Sequence, residues 1–191
     1  MFSDEEKQIA VDMALTSKEK LMSAFLIGYS IDKIKNCIIE TFVVELKKQL
    51  VAELSEEWVF DYTINHTESY GVSFGIQKNS WLSKGWSISV EAGNAGPDNF
   101  YFGFAKKTNE EHLPSLKERI DEKLYGYASK HNDYWIWYSY CDNRYRYWPY
   151  PRYLANLYFD SNTGTMVLEY FKNQILTIKS VADEYFAQHN I

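Results

Sequence analysis

The sequence predicts an α+β domain in which an antiparallel sheet of four to five strands is flanked by an N-terminal helical hairpin and C-terminal helices. Three observations carry this. Apolar residues recur at spacings of three and four over 31–54. The period then drops to two in three successive segments between 70 and 105. From Pro114 onward it returns to helical spacing, with one strand in between. Period two marks half-buried strands and the three-to-four spacing marks helices with one buried face. A helical front, a run of strands and a mixed tail make an α+β order.

In the front, Ser3 with Glu6 and Thr16 with Glu19 have the spacing of capping boxes, in which a hydroxyl and a carboxylate satisfy orphan backbone donors at a helix start. They predict a helix over 4–27 that can break near Leu15. Gly28-Tyr29-Ser30 predicts a second break, with Ser30 as N-cap of a long helix over 31–54. Ile39, Val43, Leu46, Leu50 and Leu54 form its core stripe, widened by Ile34, Ile38 and Phe42.

In the middle, Tyr70, Val72, Phe74 and Ile76 alternate with small or polar residues, as do Trp86, Ile88 and Val90, and then Phe100, Phe102 and Phe104. Trp58 to Ile64 reads as a further strand, and the segment 92–98 carries turn chemistry. The second face of these strands is Gly, Ser and Ala rather than long polar residues, which allows close approach of another layer. A helix lying on that face is the expected occupant; a shallow open binding surface is the alternative. In the tail, Pro114 and Ser115 open a helix carrying Leu116, Ile120, Leu124 and Tyr127. A fifth strand runs from Tyr134 to Cys141, and a short helix follows from Arg152 to Phe159. The turn 161–164 leads into a closing amphipathic helix.

Length and composition bound the rest. The 191 residues suit one domain, with 1–55 as helical front, 56–109 as sheet and 110–191 as the remainder. The net charge of −6 lacks the basic footprint of a nucleic-acid binder. No stretch is apolar and long enough to span a membrane, and the acidic start does not resemble a signal peptide. Two distant cysteines, Cys37 and Cys141, make no disulfide framework, so a cytoplasmic setting is expected.

Aromatic residues are 17% of the chain, and they crowd between Tyr134 and Phe159 together with three of its four arginines. Trp, Tyr and Arg dominate protein-interface hot spots, and the same side chains can stack unpaired bases. The candidate binding residues are therefore Trp137, Tyr140, Arg144, Arg146, Trp148, Tyr150 and Arg152. The strand carries aromatics at both parities, which places it in the core. The stretch from Arg144 to Arg152, broken by two prolines, is the better source of exposed contacts. Ala24, Gly28, Ile34 and Cys37 fall at helix-turn-helix spacing, yet the second helix mixes four acids with four bases and is apolar around 38–44. An ordinary helical hairpin packed on the sheet is expected instead. Catalytic signals are sparse: His66, His112, His131 and His189 are scattered, and neither a phosphate loop nor a nucleophile elbow is present. No cofactor and no metal are expected. Asp61, Glu91 and Asp98 are the weak alternative for Mg²⁺, should they converge at strand ends.

The segment Gly85-Trp86-Ser87-Ile88-Ser89-Val90-Glu91 with Asn99-Phe100-Tyr101-Phe102-Gly103-Phe104, the run Tyr134-Trp135-Ile136-Trp137-Tyr138 and the later Arg146-Tyr147-Trp148 carry a resemblance over 58–188. They resemble the C-terminal, non-catalytic region of bacterial and phage proteins grouped with the PD-(D/E)XK nuclease superfamily. That superfamily cleaves with an Asp on one strand and a Glu or Asp, one residue, then Lys on the next. Here Glu91-Ala92-Gly93 puts Gly where the Lys belongs, and Lys106 and Lys107 lie a strand later. The resemblance thus implies binding rather than hydrolysis. The expected function is a non-catalytic binding or regulatory domain of bacterial or mobile-element origin, acting on a protein partner such as a defence-system component. The alternatives are a single-stranded nucleic-acid binder and a Mg²⁺-dependent nuclease.

Overall fold

The computed structural model describes residues 3–64, 71–94, 96–106, 113–148 and 151–189. Six helices and six strands follow in the order α1 (Asp4–Ala14), α2 (Lys18–Glu53), β1 (Trp58–Ile64), β2 (Val72–Lys78), β3 (Ser87–Asn94), β4 (Gly96–Ala105), α3 (Pro114–Lys123), β5 (Lys130–Asn132), β6 (Trp135–Tyr140), α4 (Asn143–Arg146), α5 (Pro151–Phe159) and α6 (Ser161–His189). The strands form one antiparallel sheet in the order β1-β2-β3-β4-β6-β5. The α+β class stands, with one strand more than expected. That strand, β5, is three exposed polar residues, Lys130 to Asn132, and carries no apolar alternation to read.

The front departs from expectation at two places. Ser3 and Glu6 do form the reciprocal capping box. The second helix, however, starts at Ser17, whose hydroxyl accepts from the Lys20 amide, and not at Thr16. It then runs unbroken through Gly28-Tyr29-Ser30 for 36 residues, about 54 Å at 1.5 Å per residue. A lone Gly costs a helix only about 1 kcal/mol, too little to end one with good formers on both sides. With no turn there, the helix-turn-helix spacing has no structural counterpart.

One face of the sheet forms the core. Trp58, Phe60, Phe74, Ile76, Ile88, Val90, Phe100, Phe102 and Phe104 point towards α2 and α6. From α2 come Ile39, Phe42, Val43, Leu46 and Leu50; from α6 come Val167, Phe171, Ile175, Ile178 and Phe186. Aromatic rings join the layers edge to face: Phe171 meets Phe74 at 5.4 Å and Phe42 at 5.9 Å, while Phe186 stacks on Trp86 at 4.8 Å. Such pairs contribute about 0.5–1.5 kcal/mol each beyond area burial.

Among the described residues no long helix packs on the opposite face, and only the one-turn α4 reaches its edge beside β4. The expected second layer is absent, and the small residues there have a different cause. Gly103 lies opposite Tyr138 and Gly75 opposite Ser89. A Cβ built at Gly103 would sit 2.8 Å from Tyr138 Cα and clash with the Trp137 carbonyl oxygen; one at Gly75 would sit 2.9 Å from Ser89 Cα and clash with the Ile88 carbonyl oxygen. The glycines thus serve the close approach of neighbouring strands, not of a second layer.

Candidate functional site

The open face divides into two halves. Over β1 to β3 it is polar, with Asp61, Thr63, Ser73, Gln77, Ser87 and Ser89 around a small depression of about 110 Å³. Over β3 to β6 it is aromatic. A groove of about 610 Å³ runs between Glu91, Gly93, Asn99 and Tyr101 on one side and Tyr134, Trp135, Tyr138 and Tyr140 on the other, with Ala105, Lys106 and Asn132 at one end.

A bulge in β6 builds the aromatic wall. Phe104 pairs with Trp137 but Ala105 pairs with Trp135, so Ile136 is the extra residue. An extra residue shifts the side-chain alternation by one. Trp135 therefore joins Tyr138 and Tyr140 on the open face, while Ile136 and Trp137 both enter the core. Tyr101 is the hub: its ring lies edge to face with Trp135 at 5.4 Å, Tyr138 at 5.7 Å and Tyr140 at 6.4 Å. The Asn132 side chain, accepting from the amides of Tyr134 and Trp135 at 2.9 and 3.0 Å, fixes the turn that presents Tyr134 at the rim.

At the far end Arg146 lies with its guanidinium carbon 3.8 Å from the Tyr140 ring centre, and its Nε donates to Asn99 Oδ1. Asn99 holds φ +62°, a left-handed conformation that Asn tolerates better than most residues. The Lys130 ammonium stands 4.8 Å from the Tyr140 ring centre. The one-turn helix α4 aims Arg146 because its neighbours are pinned: Tyr145 stacks on Tyr170 at 4.1 Å, and its carbonyl accepts from the Trp148 indole at 3.0 Å. Tyr170 Oη in turn accepts from the Asp142 amide at 2.9 Å.

The candidate residues read from the sequence separate into three groups. Tyr140 and Arg146 meet at the groove. Trp137 and Trp148 are 0% exposed and belong to the core. The Trp137 indole donates to Asp121 on α3 at 2.8 Å, and Trp148 packs on Phe42 and Phe100 at 4.9 and 4.7 Å. Arg144 is exposed on α4, and Arg152, which does not line the groove, makes an ion pair with Glu6 at 2.9 Å. Tyr150 lies outside the described residues. The sequence reading missed Tyr101, Tyr134, Trp135 and Tyr138 as a wall. Their signal was the pairing of Tyr101 on one strand with Tyr138 and Tyr140 on another, which needs the register to be seen.

The acidic alternative does not assemble among the described residues. Asp61 and Glu91 sit on strands separated by β2, about 10 Å at ordinary strand spacing. The side chain of Asp98 lies outside the described residues, and no cluster of three His, Cys, Asp or Glu side chains occurs among those described. Glu91 instead accepts from the Tyr101 hydroxyl at 3.0 Å. Burial holds its carboxyl above the ordinary value of 4.5, opposed by that hydrogen bond. Cys141 is buried and burial pushes its thiol up, while Cys37 is exposed on α2.

The raised Glu91 value gives a pH prediction. The fold favours the protonated carboxyl, so its contribution to stability is complete below the unfolded value and is lost as pH rises through the folded one. Glu91→Gln keeps a carbonyl acceptor for Tyr101 but cannot ionise. Thermal melts should show the variant gaining on the parent as pH rises above about 4.5, with the two converging at lower pH. A difference that stays constant across the range removes this assignment.

No protein-family model, no curated protein and no solved structure matches the chain.

Proposed function

We propose that the chain is a non-catalytic binding domain of bacterial or mobile-element origin that holds a protein partner on the aromatic half of its open sheet face. The observation that supports this reading is the uncovered groove itself. A sheet packed on one face presents, on the other, interlocked Tyr side chains backed by the buried Trp135 and bordered by Arg146, Lys130 and Lys106. Rigid aromatic anchors with an adjoining Arg are the composition of interface hot spots.

The ring geometry favours protein over single-stranded nucleic acid. Base stacking needs free ring faces. Here Tyr101, Trp135, Tyr138 and Tyr140 meet one another at interplanar angles between 52° and 89°, and Tyr140 also carries Arg146 on its face. Edges and hydroxyls are what such a cluster offers, and they suit backbone and side-chain partners. The absence of the nuclease-type Lys after Glu91 supports binding without cleavage, and a component of a defence system is a fitting partner for such a domain.

Affinity capture from cells of the natural host tests the reading. A protein retained by the parent and lost with Tyr134→Ala/Tyr138→Ala, but kept by the polar-half control Ser73→Ala, is the expected result. Equal retention by parent and groove variant sinks it. So does tight binding of a fluorescent oligothymidylate with a steep salt slope, which marks phosphate contacts.

A further inference from the structure

The first half of α2 carries no fully buried side chain. No residue of α1 is buried, and in α2 burial begins only at Ile39. Eleven large apolar side chains between Ile9 and Ile34 are exposed, among them Leu26 at 68% and Tyr29 at 90%. At roughly 100 Å² for each half-exposed large side chain, they present on the order of 1,000 Å². This area is spread over both helices and over more than one face of α2, set against the ~800 Å² that each partner gives to a stable interface.

The pattern along one stripe says what fits it. Ile27, Ile31, Ile34 and Ile38 follow at spacings of four, three and four, the seam of a helix pair, with Ile38 half-buried where the stripe meets the core. Extending the stripe by the same rule reaches Ala24 and Lys20 on one side and Thr41 and Glu45 on the other. This series reads as its own complement when reversed. An antiparallel second copy sets Ile31 against Ile34, Ile27 against Ile38, Ala24 against Thr41 and Lys20 against Glu45. A parallel copy would instead oppose Lys20 to Lys20 and Glu45 to Glu45, which costs stability.

We propose that α2 pairs with α2 of a second copy of this chain, antiparallel about a two-fold axis between Ile31 and Ile34. The two α1–α2 hairpins then complete a four-helix arrangement, and the interface is isologous and closed. A lipid surface suits the same apolar residues less well. Residues 4–40 carry seven acids against five bases, whereas interfacial helices are basic on their polar face. The pairing is independent of the groove and of what it binds.

Sedimentation equilibrium from about 1 to about 100 µM reads the state directly. A species of about 45 kDa, twice the 22.5 kDa chain, is expected. Ile31→Glu/Ile34→Glu should raise the dissociation constant roughly 100-fold or more. Its tryptophan fluorescence should not change, because the indoles lie in the body of the domain. Orientation is read from charges: Lys20→Glu and Glu45→Lys each weaken pairing several-fold, and the two together restore it, as only antiparallel partners allow. A monomer throughout the range overturns the proposal, as does a dimer unmoved by the Ile31/Ile34 variant or charge variants without mutual rescue. Flotation of a monomeric protein with mixed phosphatidylcholine and phosphatidylglycerol vesicles would assign the stripe to lipid and overturn it as well.

Discussion

Replacing Gly103 with alanine is expected to destabilise the domain by about 3 kcal/mol or more, at the severe end for one added methyl group. The reason is local and rigid. The new Cβ would meet the Trp137 carbonyl oxygen and the Tyr138 Cα, which are backbone atoms of the adjoining strand and cannot rotate away. Relief requires β4 and β6 to separate where Phe102, Phe104 and Trp137 hold them from the core side. Gly126→Ala is the matched control, since its Cβ would meet nothing within 4 Å. Urea unfolding of both variants checks the contrast. A Gly103→Ala midpoint within error of the control would mean that the strands are not this close.

Trp148→Ala is expected to cost about 3–5 kcal/mol, the range for deleting a large buried aromatic. The side chain is fully buried, edge to face with Phe42 from α2 and tilted against Phe100 from β4, with Phe171 from α6 5.7 Å away. It therefore locks three elements together, and its loss leaves the Tyr145 carbonyl without the indole donor. Arg144→Ala, four residues earlier in the same segment, should leave stability within about 0.5 kcal/mol. Comparing their melting temperatures separates a core anchor from a surface residue, two roles that composition alone had merged.

The sheet was legible because alternation is a strong signal wherever one face is buried, as at Phe100, Phe102 and Phe104. The core stripe of α2 was legible for the same reason. The aromatic segment was not, and the cause is physical. Trp135 and Trp137 share parity in the sequence and would share a face in a regular strand, but the extra residue Ile136 sends them to opposite sides. A bulge leaves little mark in composition. Likewise the segment after β6 was read as a source of exposed contacts from its prolines and arginines. Only the packing shows that it reaches back into the core at Trp148 and outward at Arg146. The unbroken course of α2 through Gly28 was hidden by weighing a turn signal above the helix formers on either side.

A continuous α2 has a kinetic consequence. Its hydrogen-bonded ladder is uniform, yet within a single copy the amides after Ile39 lie behind side chains buried by the sheet, while those before it belong to a stretch with no buried side chain. Opening the first half needs only a local unwinding; opening the second requires the domain to come apart. One rod thus spans two protection regimes, with the crossover near Ile38 and Ile39. Hydrogen exchange along this single helix would display the boundary between its buried and its unburied half as a step, with no change in secondary structure to announce it.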